Sequence, residues 1–187
     1  MCGILASLLS GCASIAIGGA ALTSVAMLHD RRSSGAVIDD ESIEIKALLK
    51  MREHASLLEN THINITSYNG IVLISGEVAS EAIRQQIATI ILAIPRVRHI
   101  YNELLLTKPS TFSTRSHDSW ITSKSKIALF KVGRFPEFDP SRMKIITESG
   151  NVFLMGLVSH QEADISVELV RRIKGVQKVI KLFEYID

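Results

Sequence analysis

The stretch Ile63–Val78, INITSYNGIVLISGEV, comes back eighty residues later as MKIITESGNVFLMGLV, Met143–Val158. Aligned on Gly70 and Gly150, the pairs Ile65/Ile145, Val72/Val152, Gly76/Gly156 and Val78/Val158 coincide. Each copy alternates apolar and polar residues on both sides of a short polar turn ending in glycine, which is the pattern of a β-hairpin. Further along, Val97/Val176 and Ile100/Val179 match at an offset of seventy-nine, so one residue slips inside an intervening helix. Repeats of this length are two small homologous units rather than a solenoid.

The sequence around each hairpin reads the same way twice. A helix precedes it, Asp39 to Arg52 and Asp118 to Val132, and a second helix follows. In the first unit the second helix carries Ile83, Ile87, Ile91 and Ile94 at helical spacing, and Pro95 stops it. In the second unit it carries Ala163, Val167, Val170 and Ile173, and Gly175 ends it. The strands VRHIYNELLL and VQKVIKLFEYI close the units. The order α-β-β-α-β predicts an α+β fold, two helices packed on one face of a small three-stranded mixed sheet in each unit.

Composition limits the functions. The 187 residues are 47% hydrophobic and 21% charged with a net charge of +2, so no field of the whole molecule draws in nucleic acid. The two cysteines, Cys2 and Cys12, both lie in a segment without a charged side chain from Met1 to Leu28, which leaves the folded part without disulfides. That apolar run is long enough to span a bilayer, but Gly3, Gly11, Gly18 and Gly19 make it a weak helix. The other reading is an export signal followed by a tether. Leu9-Ser10-Gly11-Cys12 resembles the lipobox of bacterial lipoprotein precursors, which implies that residues 1–11 are removed and that Cys12 becomes the acylated N-terminus. No Lys or Arg precedes the run, which departs from that pattern. Ala13 after the cysteine implies delivery to the outer membrane.

Residues 39–187, with their glycine-turned hairpins and closing strands, resemble the BON domain (bacterial osmotically inducible and nodulation). With the lipobox in front, the chain is similar to dual BON-domain outer-membrane lipoproteins, as DRRSSGAVIDDESIEIK and the WITSK and VFLMGLV segments also suggest. The expected organisation is a signal over 1–11, a lipidated N-terminus and linker over 12–38, BON units over 39–107 and 116–187, and a linker over 108–115. The resemblance implies a non-enzymatic protein, lipid-anchored and facing the periplasm, that associates with phospholipid and supports envelope integrity.

No catalytic or metal pattern competes with this. His29, His54, His62, His99, His117 and His160 are scattered without ligand spacing, so no metal site is expected. The Ser, His and Asp of STFSTRSHDS are sequence neighbours only, and a triad is a matter of geometry. No phosphate-binding glycine loop and no cofactor motif is present. The informative stretch is DSWITSKSKIALFKVGR. On a helix, Ile121, Ser125, Ala128 and Val132 share one side, as do Ile121 and Leu129, while Trp120, Lys124, Ile127 and Lys131 form another stripe with Lys126 and Phe130 beside it. A tryptophan among lysines suits an anionic lipid interface, phosphatidylglycerol or cardiolipin. Asp39, Asp40 and Glu41 open the matching helix of the first unit, so lipid binding is expected of the second unit alone. The alternative is an adaptor that recruits an envelope protein while the anchor only localises it.

Overall fold

A computed structural model describes residues 30–132 and 138–187; Cys12 and the lipobox lie outside the described residues. The first unit runs α1 (Ser34–Glu53), a 3-10 turn, β1 (His62–Tyr68), β2 (Ile71–Val78), α2 (Glu81–Leu92) and β3 (His99–Leu106). The second runs α3 (Phe112–Phe130), a 3-10 turn, β4 (Met143–Glu148), β5 (Asn151–Val158), α4 (His160–Val170) and β6 (Lys178–Tyr185). In each sheet the hairpin is antiparallel and the strand after the helix joins parallel, in the orders β1-β2-β3 and β4-β5-β6. The one-residue slip falls ahead of the helix rather than inside it: Val78 and Val158 are eighty apart, whereas the N-caps Ser80 and Ser159 are seventy-nine apart, because Ala79 and Ser80 join β2 to α2 and Ser159 alone joins β5 to α4.

The period of two along the strands divides each sheet into two apolar faces. Val72, Ile74 and Val78 of β2 meet Ile43, Ala47 and Met51 of α1 and Ile87 and Ile91 of α2. Val152, Leu154 and Val158 of β5 meet Ile121 and Leu129 of α3 and Ala163 and Val170 of α4. The residues between them point the other way. Tyr68 and Leu73 of one sheet pack on Phe153, Met155 and Leu182 of the other, all buried. The central strands β2 and β5 are thus covered on both faces, which explains their almost unbroken apolar runs. The molecule has four layers, α1 and α2 outermost on one side, α3 and α4 on the other.

Two sequence expectations change here. The polar stretch 29–38 is not a loose tether throughout. Ser33 caps α1 by accepting the Ala36 amide, so the helix starts five residues before Asp39. Ahead of it, Arg32 pairs with Asp30 and Asp40 and lies 4.0 Å over the Tyr68 ring. Arg31 reaches across to Glu162 and the Leu157 carbonyl. The Ser/Thr-rich linker is also partly helical, because Thr111 caps α3 through the Thr114 amide. The inter-sheet core holds the two units face to face.

Candidate lipid interface

The buried side of α3 is Asp118, Ile121, Ser125 and Leu129, one residue per turn. Leu129 fills the core position, and Ala128 is half-buried beside it. The opposite side therefore faces outward. Trp120 is 43% exposed, Ile127 48%, Phe130 60% and Phe112 80%. Lys124, Lys126 and Lys131 are exposed too, and none of them has an ion-pair partner among the described residues. Lys124 Nζ sits 5.6 Å from the Trp120 ring centre, and His117 braces the indole edge-on. The six residues of the expected stripe are thus brought together on one outward arc.

Phe112 is the member that sequence reasoning missed. STFSTRSHDS reads as a linker, and its helical signal is only Thr111 placed three residues before Thr114. Phe112 and Phe130 are eighteen residues apart, five turns of an α-helix, so they project at the same angle. The apolar stripe spans about 27 Å along the axis at 1.5 Å per residue.

The acidic start of α1 is not what the sequence suggested. Asp40 is buried, not a surface acid. Its carboxylate accepts from Ser67 Oγ at 2.6 Å and from the Asn69 and Gly70 amides at 2.6 and 2.8 Å, and takes the Arg32 guanidinium. Asp118 does the same in the second unit, accepting from the Ser149 and Gly150 amides at 2.9 and 2.8 Å. With that carboxylate engaged inside the hairpin turn, the Ser-His-Asp neighbours of the sequence do not converge. Asp39 pairs with Arg96. Of the three, Glu41 alone stays an exposed acid, and the outer face around it carries Ile38, Ile45, Leu48 and Leu49, each more than half exposed.

Electrostatics concentrate at the seam between the sheets. Burial pushes the Tyr68 hydroxyl up to about 12, so it stays protonated and donates to the Arg142 carbonyl at 2.8 Å. Glu77 and Glu148 meet His62 there, although the histidines are scattered in sequence. Burial raises the Glu148 pKa, with Glu77 and Asp118 adding to it against His62 and Asn64.

Comparison with known protein families finds the same doubling along the chain. The BON domain model matches residues 39–108 and 117–187. The chain is 35% identical to the outer membrane lipoprotein DolP of Haemophilus influenzae, over 96% of this chain and 91% of that protein. It is 34% identical to a 21 kDa hemolysin of Actinobacillus pleuropneumoniae, over 84% of this chain and 80% of that one. Among solved structures, CdsD, a structural protein of the Type III secretion system of Chlamydia trachomatis, aligns with 74% of this chain and 92% of its own at 12% identity and a TM-score of 0.32.

Proposed function

The chain belongs to the BON-domain family, and from that premise we propose that it is a non-enzymatic lipoprotein, anchored through Cys12 in the outer membrane and facing the periplasm, whose α3 lies on anionic phospholipid and helps to keep the envelope intact. The observation that carries this reading is the α3 arc, with four exposed apolar side chains, three of them aromatic, among lysines that have no ion-pair partner among the described residues. Indole and phenyl rings suit the depth where headgroups meet acyl chains, and lysine stems lie along them with the ammonium at phosphate level. Each lysine near such a surface contributes about 1 kcal/mol. The eighteen residues from Cys12 to His29 reach about 65 Å at most, ample to let the α3 side meet the bilayer.

Trp120 is the only tryptophan, so its emission reports directly. Adding phosphatidylglycerol vesicles to residues 30–187 should shift it to the blue, and brominated acyl chains should quench it. Trp120→Glu should weaken vesicle flotation while melting like the wild type. An unshifted Trp120 with undiminished flotation of the variant would move the contact elsewhere.

The adaptor reading keeps one observation of its own. The outer face of α1 points away from α3 across the four layers, so a single flat bilayer does not cover both. Under that reading Ile45→Asp with Leu49→Asp impairs envelope integrity and leaves vesicle binding unchanged.

A further inference from the structure

At one end of the seam between the sheets, β1, β2 and β4 bring together three side chains. His62 Nδ1 lies 3.2 Å from Glu77 Oε2 and 3.8 Å from Glu148 Oε2. One donor atom from each residue lies within 4.8 Å of the others. Glu77 is 1% exposed and Glu148 is nearly buried, whereas the His62 ring is partly open to solvent. Among the described residues, His62 is the only cationic partner either carboxylate has. Two carboxylates removed from water thus face one imidazole, which carries at most one positive charge. A buried charge of that kind is costly unless something neutralises it.

We propose that His62, Glu77 and Glu148 bind a divalent transition-metal ion, zinc by preference, which staples the first unit to the second. The spacing suits it. Tetrahedral zinc with ligands at 2.0–2.2 Å sets them about 3.3 Å apart, close to the two separations on His62, so small side-chain rotations complete the set. One imidazole nitrogen with two carboxylate oxygens selects zinc-like ions over calcium or magnesium, which take oxygen alone.

The surroundings support the ligands as outer partners do in metal sites. Glu77 Oε1 accepts from Ser149 Oγ at 3.0 Å, and Glu148 Oε1 from Asn64 Nδ2 at 3.3 Å, which orients both carboxylates. Glu77 Oε2 also accepts the Ser110 amide at 3.1 Å and keeps a lone pair for the metal. A groove lined by His62, Asn64, Ser119, Thr122 and Glu148 opens the site to solvent, giving an entry path and room for a water as fourth ligand. Glu77 and His62 come from the first unit and Glu148 from the second, so the ion would cross-link strands that otherwise meet through side-chain packing and hydrogen bonds.

The test is zinc titration of the chelator-stripped full chain in detergent, read by calorimetry and by thermal melting. About one zinc per chain should bind and raise the melting temperature. His62→Ala and Glu148→Gln should each weaken binding by about tenfold or more and abolish the shift, with metal-free melting recorded for each. Cobalt substitution gives a second readout, because tetrahedral cobalt absorbs intensely in the visible, and that band should vanish in both variants. Zinc binding and melting shifts that survive in both variants would overturn the proposal, as would a wild-type protein that binds no zinc.

Discussion

Asp40 and Asp118 sit at matching places in the first helix of each unit and hold the same hairpin turn by its amides. A carboxylate there satisfies donors that a tight turn leaves buried, in the left-handed conformation of Asn69-Gly70 and Ser149-Gly150. Asp118→Ala should cost about 1–3 kcal/mol for each amide left unpaired. Asp40→Ala should cost more than Asp118→Ala, because it also unpairs the Ser67 hydroxyl and removes one of the two carboxylates that hold Arg32. Urea unfolding of both variants checks the order. A second expectation concerns pH. Burial raises the Glu162 pKa, but the Arg31 hydrogen bond, the Ser159 amide and Arg142 outweigh it and hold the carboxyl below its ordinary value. A depressed folded pKa stabilises above the unfolded value, near 4.5, and that stabilisation disappears as pH falls through the folded value. Glu162→Gln should therefore melt below the wild type at neutral pH, with the gap closing in acid, as melting curves across pH 2–7 would record.

At the scale of the element, the two leading helices share a scaffold and differ in what they show to solvent. Both bury a stripe against their sheet and present aliphatic or aromatic residues on the far side. In α3 three of the four are aromatic, and the lysines beside them have no ion-pair partner among the described residues. In α1 they are aliphatic, and Lys50 is paired with Glu53. Lys124→Glu with Lys131→Glu should lower vesicle binding at low salt and matter less at 1 M, where the Debye length is about 3 Å. Trp120→Glu should stay impaired at both, because its loss is apolar burial of about 1.5–3 kcal/mol. Flotation at two ionic strengths separates the charge from the apolar contribution.

For the whole molecule, the buried inter-sheet core couples the unfolding of the two units. Phe153, Met155 and Leu182 would be uncovered if the first unit were removed. Residues 30–187 should melt in a single transition by calorimetry and by near-ultraviolet dichroism alike. Residues 110–187 alone should bind a hydrophobic dye or self-associate. Leu73→Asp should broaden or split the transition of the longer chain, because it places a charge in the layer that couples the units.

Much of the architecture needed only local sequence. The doubled hairpin, the glycine turns and the helical spacing of Ile83–Ile91 depend on residues close together, so they settle the α-β-β-α-β order and the three-stranded sheets. The arc of Trp120, Lys124, Ile127 and Lys131 was legible for the same reason, since helical geometry alone sets which of its residues share a side. What the tertiary structure decided involves residues far apart. The alternation that marks Leu73 and Phe153 as strand residues does not say whether water or another sheet covers them. An acidic triplet does not reveal that Asp40 turns inward to hold a hairpin formed some thirty residues later. His62, Glu77 and Glu148 become neighbours only because two sheets pack face to face, and no spacing along the chain encodes that meeting.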